Sequence, residues 1–240
     1  MRKVFEYYIG NSVYTMKNKD FTEVEVQIHK YYEPNFEYSA IKQMWNGKEN
    51  IAGMINNICN FIPRTEYIIS VIEALIKKEP DRRILILSER RNLLNDIEKY
   101  IIDKNILDKN YGYYVGGMKQ SDLNISSEKQ IILATYQLAS EGFNVPSLNT
   151  LIFASPISDI QQSIGRILRE RPEDRKYIPL CIDILDDFSV FKRKGYSRLK
   201  FYNNNKYNVS YYQDNQLIKI CEEVTEDNNK QKLKFIEDDD

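Results

Sequence analysis

Between residues 84 and 194, short β-branched apolar runs alternate with amphipathic helical stretches, and this alternation constrains the fold more than any other property of the chain. Strands are expected at 84–87, 111–115, 130–134, 151–154 and 177–184, and helices at 92–103, 160–169 and 187–194. A strand that is apolar at every position is buried on both faces, and strands that alternate with helices run parallel. The expected fold class is therefore α/β: a doubly wound parallel sheet with helices on both faces. In such sheets ligands collect at the loops beyond the carboxyl ends of the strands. Here those loops are 88–91, 116–117, 135–144 and 155–159.

The first 62 residues read differently. Val24, Val26 and Ile28 alternate with Glu23, Glu25 and Gln27, the period of a half-buried strand, and Pro34 closes it. Ile51, Met54, Ile55 and Ile58 then fall at helical spacing. A second helix is expected over 64–78, with Ile68, Ile69, Ile72 and Ile76 on its apolar side and Pro80 beyond its end. Residues 1–62 are accordingly expected to form a connector of strands and helices, 63–215 the α/β domain, and 216–240 an acidic, disordered tail. The charge supports that last division: eight acidic residues between Glu222 and Asp240 face only Lys230, Lys232 and Lys234, which leaves the body mildly basic.

Composition removes several classes. With 42% hydrophobic and 29% charged residues in 240, the chain has material for a sizeable core. No apolar run approaches the ~20 residues of a membrane span, and no signal segment opens the chain, so a soluble intracellular protein without a membrane partner is expected. Cys59, Cys181 and Cys221 are odd in number and widely spaced, which indicates neither a disulfide framework nor a zinc site. His29 is the single histidine. Multi-histidine metal centres are thereby excluded, no metal site is expected, and a Ser-His-Asp triad would need His29 as its base.

Two stretches carry chemistry. In Gln-Ser-Ile-Gly-Arg-Ile-Leu-Arg, residues 162–169, a helix would turn Ile164, Ile167 and Leu168 to the sheet and leave Gln162, Arg166 and Arg169 on another face. Guanidinium groups on a rigid support suit developing phosphoryl charge, because they are permanently charged and multidentate. A solvent-facing basic edge that pairs with residues such as Glu170 is the competing reading. In residues 132–146 a buried strand delivers Thr135 to its carboxyl end, a short helix follows, and Gly142 permits a backbone turn. Thr135 and nearby amides could hold a phosphate, or the segment could be an ordinary strand-to-helix connection. Gly116 and Gly117 could likewise expose amides to a phosphate or simply turn the chain. Trp45 and the paired tyrosines Tyr7, Tyr8, Tyr31 and Tyr32 fit base stacking or core packing, with packing the ordinary use of aromatics at strand spacing. His29 reads as an ordinary polar position. Asp183, Asp186 and Asp187 read as strand-end and helix-cap residues, with a cap at Asp186 or Asp187.

Taken together these stretches resemble the second RecA-like domain of superfamily two helicases. The carrying residues are Leu85 to Arg91, Ile132 to Pro146 and the Gln-x-x-Gly-Arg-x-x-Arg pattern from Gln162 to Arg169. Within that superfamily the likeness is to DNA helicases of large DNA viruses, including the poxvirus transcript-release helicase group, and the host cytoplasm, a viral factory or the virion is the compartment this implies. It extends from Val4 to Gly10, similar to the segment after the third helicase motif, through Ile182 to Ser189, Arg198, Phe201, Tyr202 and Tyr207.

The resemblance implies an ATP-dependent motor that works on nucleic acid, with DNA expected over RNA. Arg166 and Arg169 would be arginine fingers toward the γ-phosphate, with Gln162 in the same cleft. Gly142, Asn144 and Gly165 would face the nucleotide. Ser88, Arg90, Arg91, Gly116, Gly117 and Thr135 would meet the nucleic-acid backbone. Many relatives carry Asp where Asn144 stands, so Asn144 brings hydrogen bonds without charge. The sequence has no Gly-x-x-x-x-Gly-Lys-Thr loop and no acidic strand end after one. ATP and its Mg²⁺ are therefore expected to be held mainly by a first RecA-like domain, absent from this sequence, and this chain alone is expected to be inactive. The alternative is a non-catalytic scaffold, derived from a helicase domain, that binds nucleic acid or protein.

Overall fold

A computed structural model describes residues 24–140, 145 and 147–220. Eight strands form one sheet: β1 (Glu25–Tyr31), β2 (Ile84–Ser88), β3 (Tyr111–Tyr114), β4 (Ile131–Thr135), β5 (Thr150–Phe153), β6 (Leu180–Asp186), β7 (Asn208–Gln213) and β8 (Gln216–Ile220). Their order is β3-β4-β2-β5-β6-β1-β7-β8, and every neighbouring pair is parallel except β7 and β8. β2, which reads Ile-Leu-Ile-Leu-Ser, is buried at each position because β4 and β5 flank it and helices cover both faces. The doubly wound α/β sheet expected from the apolar runs is the one observed.

Alternate residues of the central strands feed two separate cores. Ile84, Ile86, Ile131, Leu133, Ile152, Ile182 and Ile184 face helices α2 (Ile51–Asn60), α3 (Ile62–Lys78) and α4 (Arg91–Asp103). Leu85, Leu87, Ile132, Ala134, Leu151, Phe153 and Cys181 face α5 (Gln120–Ser127), α6 (Tyr136–Ser140), α7 (Gln161–Ile164) and α8 (Ser189–Asn204). A small helix α1 (Phe36–Ser39) precedes α2. It begins where the Asn35 side chain accepts the Glu37 N–H at 2.8 Å. None of the described helices is long and apolar enough to cross a membrane.

Three expectations change. The sheet does not respect a boundary at residue 62: β1 lies between β6 and β7, and Tyr38, Ile55, Ile58 and Phe61 belong to the same core as Ile68 and Ile72. β1 itself keeps the half-buried period expected of it, with Val24, Val26 and Ile28 buried and Glu25 and Gln27 only partly so, although His29 is buried as well. Gln216–Ile220 pairs with β7 and so is a strand, while the acidic segment 221–240 lies outside the described residues. The helix expected over 187–194 starts later and runs to Asn204. Its N-cap is Phe188, with no side-chain cap bond, so neither Asp186 nor Asp187 caps it.

Candidate functional site

Because the strands run parallel, the carboxyl ends of β3, β4, β2, β5, β6 and β1 share one edge of the sheet. Ser88 lies opposite Thr135 there, and Leu87 opposite Phe153. The loops that carry Gly116 and Gly117, Thr135, Arg90 and Arg91, and the segment into Arg166 and Arg169 are thereby brought to that edge. Gly142 and Asn144 lie outside the described residues, as do Val4 to Gly10.

The segment after α7 is not the continuous α-helix expected over 160–169. Ile164 and Gly165 still donate to the carbonyls of Ile160 and Gln161 at 2.9 and 3.2 Å, four residues back. Arg166 and Ile167 instead donate to Ser163 and Ile164 at 3.0 and 3.1 Å, three residues back. In this tighter winding side chains three apart eclipse one another. Arg166 lies within this winding and Arg169 just beyond it, near enough for the two charges to act on each other. Ile160, Ile164 and Ile167 are buried beneath them and anchor the segment. Arg169 and Gln162 are exposed, Arg166 half-buried. Burial, and then the neighbouring Arg169, holds the Arg166 guanidinium below its usual range. The group keeps its charge nonetheless, since arginine titrates far above neutrality. Arg175 braces the turn from behind, donating to the carbonyls of Glu170 at 3.0 Å and Leu168 at 3.4 Å.

The stretch that leads from β5 into this segment is held by buried groups that sequence reasoning did not assign. Arg64 in α3 forms a two-pronged pair with Asp186 (Nε to Oδ1 2.6 Å, Nη2 to Oδ2 2.9 Å), and its remaining Nη1 donates to the Ala154 carbonyl at 2.7 Å. On the opposite face Arg198 in α8 pairs with Asp183 in the same manner (2.7 and 2.8 Å), and its Nη1 donates to the Ile157 carbonyl at 2.6 Å. Between them the Tyr136 hydroxyl donates to Ser155 O at 2.6 Å, and Ser155 Oγ accepts the Glu89 N–H at 2.8 Å. Tyr38 and Tyr202 donate to the two carboxylates at 2.8 and 2.9 Å. Two guanidinium forks therefore pin residues 154–157 from both sides of the sheet. Burial works against the charge of each arginine, but the facing carboxylate prevails and holds Arg64 and Arg198 above their usual range. The only sequence signal for this clamp was the likeness that singled out Arg198 and Tyr202; Arg64 looked like any residue of an amphipathic helix.

The residues expected at a nucleic-acid backbone fall into two groups. Ser88 is fully buried, and its hydroxyl both donates to Arg90 O (2.9 Å) and accepts the Arg90 N–H (3.0 Å). It shapes the turn before α4. Arg90 is half-buried and donates to Asn56 Oδ1 at 2.6 Å and Glu89 Oε1 at 2.9 Å. Arg91, Gly116 and Gly117 are exposed and Thr135 half-buried. Gly117 has φ +88°, which a side chain would strain, so the turn itself requires a glycine there.

Residues 66–171 match the family described as helicase conserved C-terminal domain. That segment of the chain is similar to a helicase C-terminal domain. The matched segment begins in α3 and ends just beyond Arg169, so it contains every loop of the carboxyl edge named above except those after β6 and β1. The chain is also 33% identical, over 95% of its length, to a protein of Acanthamoeba polyphaga mimivirus described as "Putative ATP-dependent RNA helicase". The match spans 44% of that relative's length. Among solved structures, T4 UvsW superposes on 80% of the chain with a TM-score of 0.59 at 20% identity, through 42% of its own length. That likeness supports the RecA-like α/β fold. The chain thus spans less than half the length of either relative.

Proposed function

We propose that the chain is the C-terminal motor domain of an ATP-dependent helicase or translocase, and that Arg166 and Arg169 act as arginine fingers on ATP bound by a first RecA-like domain. The observation that carries this reading is the pair of arginines on a tight turn whose approach, residues 154–157, is clamped from both sheet faces. A finger must meet charge that develops in the transition state without reorganising, and a support pinned by buried guanidinium groups meets that requirement. Mg²⁺ bound with ATP neutralises phosphate charge, and the carboxylates for it are expected on the first domain. Gln162 shares the cleft, Gly165 allows the nucleotide close approach, and Gly142 with Asn144 faces the nucleotide. Arg91, Thr135 and the exposed amides at Gly116 and Gly117 take nucleic-acid phosphates, with Arg90 fixed behind them by Asn56 and Glu89. Phosphates are common to DNA and RNA. DNA is our expectation, the mimivirus relative carries the name of an RNA helicase, and competition between the two polymers for the chain decides.

The test uses the chain joined to its first RecA-like domain, with saturating nucleic acid. Arg166→Ala and Arg169→Ala should melt within a few degrees of the parent, because neither side chain is core. ATP turnover should fall steeply, toward the ~10³-fold or greater contribution of arginine fingers in well-studied enzymes. Lysine should rescue poorly, since an ammonium lacks the forked geometry. Normal turnover in both alanine variants would remove the finger assignment. The 240-residue chain by itself should hydrolyse no ATP above background, and stimulated turnover by it would overturn the division of labour between two domains.

A further inference from the structure

The single tryptophan of the chain is almost wholly exposed: Trp45 stands at 98% accessibility. Tryptophan is the side chain with most apolar area to bury, so an indole held in water calls for an explanation. The segment that carries it is ordered by its own backbone. Gln43 and Glu49 face each other in an antiparallel bridge, the Met44 N–H donates to Lys48 O at 2.7 Å, and the Gly47 N–H donates to Met44 O at 2.9 Å. Gly47, at φ +76°, supplies the left-handed turn, and Asn46 Oδ1 accepts the Lys48 N–H at 3.1 Å. Trp45 is therefore presented at the tip of a small, tightly tied hairpin.

The hairpin is anchored to the carboxyl edge of the sheet. Glu49 Oε1 accepts from the Ser189 hydroxyl at 2.8 Å, and Glu49 Oε2 lies 3.5 Å from Arg193 Nη2, both at the start of α8. Asn50 caps α2 through the Gly53 N–H at 2.9 Å, and Lys42 Nζ reaches Asn57 Oδ1 at 2.6 Å. One and a half turns along α2, Asn56 holds Arg90. With a rise of 1.5 Å per residue, the hairpin base and the Arg90–Arg91 turn are separated by only about 9 Å along that helix. Asn46, Gly47 and Lys48 follow the indole and Lys42 stands on the other arm, with Met44 and Ile41, both exposed, in the same segment. Below the hairpin a groove of about 450 Å³ is lined by Phe36, Ile41, Lys42 and Asn57, among others.

We propose that Trp45 is a stacking platform for one unpaired base of a nucleic-acid strand whose phosphates pass over Arg91 and Thr135. This rests on the nucleic-acid reading above. An exposed aromatic face on a segment that carries amide and ammonium groups and sits near the Arg90–Arg91 turn matches a nucleotide, which offers a π-face and a phosphate together. Every base has a π-face, so the contact is tolerant of sequence.

Because Trp45 is the only tryptophan, its emission reports on this site alone. The chain is titrated with labelled single-stranded oligothymidylate, with anisotropy read for binding and intrinsic fluorescence read for stacking. An abasic oligonucleotide of equal length is the control. We expect saturable quenching with oligothymidylate and none with the abasic strand. Trp45→Ala should weaken oligothymidylate binding about 5- to 150-fold, the equivalent of the 1–3 kcal/mol of one stacked base, should leave abasic binding unchanged and should not alter the melting temperature. Trp45→Phe should recover part of the loss. Binding by anisotropy with unchanged emission, equal quenching by the abasic strand, or unchanged affinity in Trp45→Ala would each overturn the stacking proposal and leave the backbone contacts standing. Absence of any anisotropy change would overturn the nucleic-acid reading on which it rests.

Discussion

Arg64 has no accessible surface, yet it carries a full charge, and all three of its guanidinium nitrogens are used: two on Asp186, the third on the Ala154 carbonyl. Removing one partner of such a pair strands the other charge away from water. Arg64→Ala should therefore lower stability by about 3–5 kcal/mol in urea unfolding, whereas Arg64→Met combined with Asp186→Leu should cost much less. An additive double variant would show that the charges are not coupled. His29 makes a second residue-scale prediction. Its ring stacks on Tyr212 at 4.8 Å, Nδ1 lies 3.1 Å from the Tyr67 hydroxyl, and burial lowers its pKa to about 4, against a smaller opposing pull from Asp183. The unfolded chain takes up this proton near pH 6.5 while the folded one resists it, so this contribution to stability is complete above pH 6.5 and is lost as pH falls toward 4. Between pH 7 and 5 the loss should be about 2 kcal/mol, which His29→Gln should abolish in parallel urea titrations. The sequence showed the outward arginines Arg166 and Arg169 because a short period exposes them. It hid the clamp, because Arg64 and Asp186 are 122 positions apart and the third ligand of each fork is a backbone carbonyl that has no sequence signature.

Among the elements, β2, β4, β5 and β6 were legible within a few residues because an unbroken apolar run admits few alternatives. β7 and β8 were not, since β7 buries only Val209 fully and carries paired tyrosines, while residues 216–219 of β8 are exposed. A signal was nevertheless present in Asp214 and Asn215, which both take positive φ (49° and 60°) in the two-residue turn between them, the geometry that favours Asp, Asn and Gly. The shortening of α7 was equally hidden, because Gly165 with φ −55° sits in ordinary helical space and only the switch to three-residue hydrogen bonds marks the change. Packing between elements yields a further prediction. A Cβ at Gly112 in β3 would come within 2.8 Å of the Ser126 backbone in α5. Backbone cannot rotate aside, so Gly112→Ala must push α5 from the sheet and should cost about 1–3 kcal/mol. Unchanged chemical denaturation of that variant would mean that the two elements separate freely.

For the whole molecule the decisive feature is β1, inserted in parallel between β6 and β7 and paired with each along most of its length. The family match starts at residue 66 and the sequence suggested a boundary at 62, yet the sheet closes only with residues that precede both. A chain trimmed to 63–240 should consequently lack a cooperative thermal transition and elute as aggregate, because β6 and β7 would each expose an unpaired apolar edge. A sharp melt with intact circular dichroism would show that those strands can close on each other. The same insertion sets a timetable for biosynthesis. Glu25 pairs with Leu180, so β1 leaves the ribosome long before its partner exists. At a synthesis rate of about 5–20 residues per second, the interval is roughly ten to thirty seconds. Throughout it the nascent chain displays Val26 and Ile28 with no neighbour on either side, and the last third of the polypeptide decides when the first strand ceases to be a substrate for chaperones.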